Sequence, residues 1–349
     1  MNHRERVISA IKHMEVDRPP YDFWAEPATM ERLFRFVGHR DLEKLLQDFD
    51  VDIRHIEADM PKEKDCGGFY QNFWGERYIY KENEWGYVRE DMPGALSKAH
   101  CMKDLIDFDW PSPDMFDYKN LVGLCNQHQD YAIMYGFADI WERPALVRGM
   151  ENALLDLVLN PDWVHFMARK YTDFYKEDYT RAFKASRGKI DIFLLMSDLG
   201  SQMGPLISIN MFNEFVAPYL KEITDHVHNM GAYIMYHSCG MIQPFIEHLI
   251  EIGIDILDPI QPVHEKMKPE NLIQKFGNRI CFHGGIDIQY LLPFGTPLEV
   301  MAEAKHYCDI LSKKGGYICA PAHLFQPDIP PENIISFYNP SLLTKYRNT

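Results

Sequence analysis

The chain of 349 residues is 46% hydrophobic and 25% charged, so it can bury a large core and is neither disordered nor low in complexity. It carries 51 acidic against 36 basic residues, and this net charge of −15 argues against a nucleic-acid-binding or anionic-membrane-binding surface. Because no segment approaches the ~18 uncharged apolar residues of a membrane span and the seven cysteines are irregularly spaced, we expect a cytoplasmic protein with reduced thiols.

Short β-branched or aromatic runs alternate with amphipathic helical stretches along the chain. The eight strand candidates are, in chain order, Tyr21–Trp24, Val51–Ile56, Ala132–Phe137, Ile190–Ser197, Ala232–His237, Ile254–Leu257, Arg279–His283 and Gly316–Ala320. Strict alternation implies a parallel sheet, and eight strands are the number that closes a barrel. We therefore predict an α/β protein built on a (β/α)8 TIM-type barrel.

One segment, at about 59–120, interrupts this alternation. It is rich in Trp, Tyr, Gly and Pro, and it predicts a small antiparallel insertion between the second and third strands, acting as a lid or a dimer contact. No internal repeat and no flexible linker divides the chain. Residues 1–349 are thus predicted to form a single barrel domain that carries this insertion.

Polar residues of ligand type follow six of the predicted strands, where a barrel places its chemistry. They are Asp139, Asp198, His237 with Cys239, Asp258 with Gln261, His283 with Asp287, and Cys319 with His323. Any one of them alone is more often a core histidine, a buried thiol or a helix cap. Their shared position at one rim favours a functional site, in which we assign Asp198 and His283 to catalysis and Asp139 and Gln261 to substrate binding.

The sharpest local motif is His237-Ser238-Cys239-Gly240 at the end of the fifth predicted strand. Residues i and i+2 of a strand point to the same face, so the imidazole and the thiolate can converge on one metal ion. This ligand pair suits Zn²⁺, and a catalytic zinc site needs a third protein ligand. The third ligand can come from His323 or Cys319 after the last strand, or from His283.

Several longer segments carry a family resemblance. The runs RERVISAIKHMEVDRPP, DLGSQMGPLISINMF, GIDILDPIQP, FHGGIDIQYLLPFGTP and GGYICAPAHLFQPDIPPENI resemble the uroporphyrinogen decarboxylase superfamily over nearly the whole chain. The resemblance implies a (β/α)8 barrel. The arginine-rich segment with which the decarboxylases hold a tetrapyrrole is absent, since FWAEPATMERLFRF stands in its place. Another branch of the superfamily transfers methyl groups from corrinoid proteins, and its thiol-methylating members carry a His-x-Cys zinc motif like His237 and Cys239.

The residue at the third ligand position differs from the one in the thiol-methylating members. Those members have a cysteine in an A-P-x-C segment, whereas Ala320-Pro321-Ala322-His323 places a histidine there and Cys319 lies four residues earlier. We favour His323 because it lies on the loop, and Cys319 is the alternative because a second thiolate binds Zn²⁺ more tightly. Replacing a thiolate by neutral imidazole makes the site more positive by one charge.

The resemblance and the motif together predict a zinc-dependent methyltransferase that moves a methyl group from a methylated corrinoid protein to a thiol or to tetrahydrofolate. The alternatives are a metal-independent decarboxylase of a tetrapyrrole or related aromatic acid, centred on Asp198 and His323, and a non-catalytic corrinoid- or tetrapyrrole-binding protein. The corrinoid would be carried by a partner protein. The aromatic insertion and the habit of the family also suggest a homodimer.

Overall fold

A seven-stranded parallel sheet forms the centre of the computed structural model, which describes residues 1–347. Its strands, in spatial order, are β1 (Ile53–Ile56), β6 (Ala132–Ala138), β7 (Ile192–Met196), β8 (Tyr233–His237), β9 (Ile256–Asp258), β10 (Cys281–His283) and β11 (Tyr317–Ile318). A second, antiparallel sheet contains β2 (Lys64–Asp65), β3 (Tyr70–Gln71), β4 (Arg77–Asn83) and β5 (Gly86–Met92).

Helices connect and cover the parallel strands. They are α1 (His3–Ile11), α2 (Pro27–Val37), α3 (Leu42–Asp48), α4 (Met102–Ile106), α5 (Leu121–Gln127), α6 (Glu142–Arg148), α7 (Met150–Leu159), α8 (Pro161–Ala185), α9 (Ile209–Met211), α10 (Ala217–Met230), α11 (Ile246–Ile252), α12 (Pro269–Phe276), α13 (Leu291–Phe294), α14 (Pro297–Leu311), α15 (Pro331–Tyr338) and α16 (Leu342–Arg347). A π-helical turn (Phe212–Val216) joins α9 to α10, and short 3-10 turns occupy Pro113–Met115, Gln243–Phe245 and Glu265–Met267. None of the described helices is both long enough and apolar enough to cross a bilayer.

The extended segment at Tyr21 joins the two edges of the seven-stranded sheet. Cys319, which follows β11, donates its N–H to the carbonyl of Pro20 at 2.8 Å and accepts from the N–H of Asp22 at 3.1 Å. On the other side, Asp52 donates its N–H to the carbonyl of Tyr21 at 2.8 Å. The segment therefore closes the ring and confirms the predicted barrel.

The prediction of a full strand over Tyr21–Trp24 is nevertheless wrong. The structure has only isolated bridges there, from Tyr21 to Cys319 and from Ala25 to Phe325. Pro19 and Pro20 precede the segment and lack an N–H, which shortens the ladder that can form. The other seven strand candidates all contain observed strands, several of them shorter than predicted.

Side chains alternate between two cores along each strand, as a twofold strand repeat requires. Ile192 and Leu194 of β7 belong to an inner cluster within the barrel, whereas Phe193 and Leu195 pack outward among the helices. Val7 of α1 belongs to the inner cluster and is fully buried, so α1 covers the N-terminal end of the barrel. The polar loops therefore lie at the C-terminal end of the barrel.

The antiparallel sheet lies within the segment at about 59–120 that the sequence sets apart. Trp74, which is 1% exposed, stacks on Tyr171 of α8 with ring centroids 4.1 Å apart. It also meets the edge of Phe174 at 4.6 Å. The aromatic residues of the insertion thus attach it to the long helix α8.

Candidate metal centre

A polar layer sits directly above the apolar interior of the barrel. In β8, β9 and β10 the buried inward residues are Met235, Ile256 and Cys281, and two residues further on each strand ends in a polar side chain. Those end residues are His237, Asp258 and His283. Because side chains two positions apart share a face, the strand repeat itself directs all three to the barrel axis at its C-terminal end.

Three residues in this layer can act together as metal ligands. One ligand atom each of His237, Cys239 and His323 lies within 4.8 Å of the other two. Nε2 of His237 is 3.4 Å from Sγ of Cys239, and the rings of His237 and His323 have centroids 5.4 Å apart. The structure therefore brings together the three residues that the sequence analysis selected as ligands.

Asp258 fixes the orientation of the His237 ring. Its Oδ2 lies 2.5 Å from Nδ1 of His237, and its Oδ1 lies 2.5 Å from Nδ1 of His283. With Nδ1 of His237 held by the carboxylate, Nε2 is the nitrogen that faces Cys239 and the metal position. This carboxylate–histidine arrangement is the one that supports metal-binding histidines in proteins.

Two further predicted site residues hold the turn that carries Cys239. The N–H of Cys239 donates to Oδ1 of Asp198 at 2.7 Å, and the N–H of Gly240 donates to Oε1 of Gln261 at 2.7 Å. Gly240 has a φ of 79°, and a Cβ there would lie 2.5 Å from the carbonyl oxygen of Ser201. Asp198 and Gln261 thus position the Cys239 backbone.

The surroundings set the protonation of the three ligands. Burial disfavours the charged form of His237, but the adjacent Asp258 carboxylate outweighs this and raises its pKa well above the ordinary value. Burial also raises the pKa of the Cys239 thiol, and the imidazole of His237 opposes that shift. Burial and the nearby His237 lower the pKa of His323, which favours the neutral imidazole that binds metals.

Zn²⁺ fits this donor set. Zinc–ligand bonds of about 2.0–2.3 Å place neighbouring ligands of a tetrahedral ion roughly 3.5 Å apart. The separation of 3.4 Å between Nε2 of His237 and Sγ of Cys239 agrees with that value, and all three ligand atoms lie within 4.8 Å of one another. Nitrogen and sulfur donors are also the ones that Zn²⁺ prefers.

Cys319, the alternative third ligand, lies outside this group of three residues. It is completely buried behind the Tyr21 segment, and its thiol lies beside Cys308 and Tyr317. Burial raises the pKa of the Cys319 thiol well above its ordinary value, which disfavours the thiolate that a metal requires. Cys319 directly follows Ile318, whose side chain faces the barrel interior. Because successive side chains of an extended chain point to opposite faces, Cys319 points away from the barrel axis.

His283 and Asp139, predicted for catalysis and substrate binding, are both engaged within the protein. His283 is 2% exposed, with Nδ1 at Asp258 and Nε2 3.2 Å from Oδ2 of Asp22. Burial opposes its charging, but the two carboxylates raise the pKa of His283 to about 9. Asp139 accepts four hydrogen bonds, from the N–H groups of residues 141, 142 and 143 and from the Ser197 hydroxyl. Burial raises the pKa of Asp139 to about 6, and the cation of Arg143 and these hydrogen bonds oppose the shift.

Sequence reasoning missed four residues near the site. They are Asp22, which contacts His283, Trp24, which stacks on His237, His55, which contacts Asp22 and Trp24, and Glu142, which lies near Asp139 and Asp198. Burial, together with the charges of Asp139 and Asp198, raises the pKa of Glu142 to about 8. His55 could have been found, because it follows inward-facing Ile53 by two positions at the end of β1. Nothing in the local sequence marks Asp22, whose partners come from β1 and β10.

Comparisons with known proteins agree with the fold and the predicted family. The chain matches the family model of uroporphyrinogen decarboxylase (URO-D) over residues 143–339, more than half its length. A solved structure of a methyltransferase from Methanosarcina mazei has a TM-score of 0.68 and 15% identity, with 99% of this chain and 99% of that chain covered. No curated protein matches the chain. At this identity, the structural likeness shows a shared barrel fold.

Proposed function

The chain belongs to the uroporphyrinogen decarboxylase family, and within this family we propose that it is a zinc-dependent methyltransferase. It would move a methyl group from a methylated corrinoid protein to a thiol or tetrahydrofolate acceptor. The observation that carries the proposal is the convergence of His237, Cys239 and His323 at the C-terminal end of the barrel. The barrel mouth would receive the corrinoid domain of the partner protein.

His237, Cys239 and His323 would hold the zinc ion, with one coordination position left for the acceptor. Zn²⁺ bound there supplies Lewis acidity, which favours the ionised form of an acceptor. Asp258 keeps Nε2 of His237 directed to the metal position, and Asp198 and Gln261 hold the backbone on either side of the Cys239 carbonyl. One thiolate and two neutral imidazoles leave a net positive site, which suits Lewis acidity better than a site with two thiolates.

The charge of the barrel mouth favours methyl transfer over tetrapyrrole decarboxylation. A tetrapyrrole with several carboxylates needs cationic partners. Among the described residues that line the cavity beside the ligand group, Arg54 carries the guanidinium, whose Nε and Nη2 donate to Glu43 at 2.9 and 3.0 Å. Its Nη1 donates to the carbonyls of Val51 and Ile53. Asp198, proposed as the centre of the decarboxylase alternative, accepts the N–H of Cys239 through Oδ1 and so holds the turn that carries a proposed metal ligand.

Transfer from free methylcobalamin to a thiol tests the proposal. The zinc-loaded protein should convert methylcobalamin to cob(I)alamin and form the thioether, and Cys239→Ala should lower the rate about 100-fold or more. Cys66→Ala removes an exposed thiol in the insertion and should leave the rate unchanged. A Cys239→Ala variant that transfers methyl groups at the rate of the unmodified chain would contradict the proposal, as would decarboxylation of a tetrapyrrole by the metal-free chain.

A further inference from the structure

A cavity of about 460 Å³ lies beside the three ligand residues. Leu324 in its wall follows His323, and Met196 in its wall pairs with His237 across the β7–β8 ladder. Trp24, also in the wall, stacks on the ring of His237 with centroids 6.3 Å apart and an interplanar angle of 13°. The cavity therefore adjoins the metal position through Leu324, Met196 and Trp24.

The cavity is apolar and offers no free cation among the residues described. Its walls include Phe23, Phe137 and Leu324 besides Trp24 and Met196. Arg54 is 3% exposed and is paired with Glu43, so its charge is already compensated. Burial lowers the pKa of His128, the other basic group near Glu43. An anionic ligand would lose hydration here without gaining a counter-ion, which costs free energy.

Among the polar side chains in this wall, His55 is the one that contacts Trp24, the residue stacked on His237. Its side chain is 29% exposed, and its Nε2 lies 2.8 Å from Oδ1 of Asp22 and 2.6 Å from the indole nitrogen of Trp24. Asp22 requires a proton on Nε2, whereas the indole N–H requires a lone pair there. The contact with Asp22 therefore belongs to the tautomer with the proton on Nε2, which leaves the lone pair on Nδ1, and the contact with Trp24 belongs to the other tautomer. Within residues 1–347 no group is hydrogen-bonded to its Nδ1.

Asp22 is suited to orient His55. Its side chain is completely buried, its Oδ1 also accepts the N–H of Phe23 at 2.8 Å, and its Oδ2 faces Nε2 of His283 at 3.2 Å. Burial opposes ionisation, but His55 and His283 hold the pKa of Asp22 far below its usual range. A buried carboxylate behind a half-exposed histidine is the arrangement that makes an imidazole an effective general base.

We propose that this cavity takes the methyl acceptor, that the acceptor is a neutral apolar thiol, and that His55 is the base that removes its proton. The inference rests on the proposed function and deepens it. The S–H bond breaks, its proton moves to Nδ1 of His55, and the sulfur electron pair forms the S–CH3 bond. The cobalt–carbon bond of the methylated corrinoid breaks and leaves its electron pair on cobalt. His55 then returns the proton to water.

A panel of acceptors tests the substrate class. With methylcobalamin as donor, kcat/KM for phenylmethanethiol should exceed that for mercaptoethanesulfonate and for tetrahydrofolate by roughly tenfold or more, because both of the latter carry charges that the cavity does not match. A preference for either charged acceptor overturns the assignment.

A substitution at His55 tests its role as a base. His55→Gln keeps a hydrogen bond to Asp22 but cannot exchange a proton, so methylation of phenylmethanethiol should slow by roughly 10²–10⁴-fold. Para-nitrobenzenethiol is ionised at neutral pH and needs no base, so its methylation should slow less than tenfold. Equal losses for both thiols would make His55 structural and would refute the proposal. His306→Gln, on a half-exposed surface site, is the matched control.

Binding measurements separate this proposal from the proposed function, since they need neither zinc nor turnover. By calorimetry, phenylmethanol should bind the chain, whereas benzenesulfonate, which differs by its charge, should bind at least about tenfold more weakly. Stronger binding of benzenesulfonate contradicts the cavity assignment even if methyl transfer occurs. Conversely, binding of phenylmethanol without transfer to any acceptor upholds the cavity preference and defeats the methyltransferase.

Discussion

At the scale of single residues, Asp258 links the ligand histidine to the interior of the barrel. It contacts His237 through one oxygen and His283 through the other, and it is 3% exposed. Burial opposes ionisation, but the two histidines hold the pKa of Asp258 well below its usual range. The carboxylate is therefore available to orient His237 throughout the range in which zinc binds.

Substitution of Asp258 should weaken metal binding. Asp258→Asn presents an amide that can no longer accept from both histidines, so we expect zinc affinity to fall about 10–100-fold. Competition with a zinc chelator measures this directly. Asp287→Asn is the control, because Asp287 accepts from the N–H groups of Gln289 and Tyr290 on the same rim. An unchanged affinity in Asp258→Asn would show that His237 does not depend on this carboxylate.

The contacts of His237 show how much of the site a sequence can predict. The shared face of His237 and Cys239 follows from the strand repeat alone, which is local information. The contact of His237 with Asp258 depends on the β8–β9 register, in which these two residues are direct partners. The roles of Asp198 and Gln261 likewise depend on which backbone N–H groups the folded loops present to them. Side-chain partners between strands are therefore beyond the reach of a single sequence.

At the scale of elements, Asp178 of α8 ties three segments together. Its Oδ1 accepts from the hydroxyl of Tyr118, which precedes α5, at 2.8 Å and from that of Tyr135 in β6 at 2.9 Å. Burial raises the pKa of Asp178 to about 6, and the two phenols oppose the shift. The ordinary value is 3.8, so the folded chain holds a proton on Asp178 that the unfolded chain has lost between these two values.

This shift predicts a pH-dependent effect of Asp178→Asn. Because the folded state binds more protons in this window, stability falls as the pH rises from about 4 through 6 and is constant above it. The substituted chain lacks this loss, so its stability relative to the original should improve by roughly 1–2 kcal/mol between pH 5 and pH 8. Urea unfolding at both pH values measures the difference. If the stability difference between the two chains is the same at pH 5 and pH 8, Asp178 does not titrate between these pH values in the folded chain.

At the scale of the whole molecule, Asp52 joins the parts that close the barrel. Its fully buried carboxylate accepts from Arg6 of α1 at 2.6 Å, from Arg18 at 2.7 Å and from the N–H of Tyr21 at 2.7 Å. It thereby connects the helix under the barrel, the closing segment and the start of β1. The alternation of strand and helix patterns in the sequence predicts eight barrel segments. The ion pairs that hold the Tyr21 segment in place, however, come from three separate stretches of chain.

Loss of this carboxylate should destabilise the fold. Asp52→Ala leaves two arginines without their buried partner, and we expect the free energy of unfolding to fall by about 3–5 kcal/mol. Asp50→Ala is the matched control, since Asp50 pairs with the same Arg18 but is 60% exposed, and its loss should cost less than about 1 kcal/mol. Equal effects of the two substitutions in denaturant unfolding would show that closure does not depend on Asp52.

The zinc content of the purified chain shows whether His237, Cys239 and His323 hold a metal ion. We expect close to one zinc ion per chain, most of it lost in Cys239→Ala and in His323→Ala and retained in Cys319→Ala, whose thiol lies outside the ligand group. A chain that stays free of zinc after incubation with the metal would refute the zinc site. Loss of zinc in Cys319→Ala alone, with Cys239→Ala fully loaded, would contradict it as well.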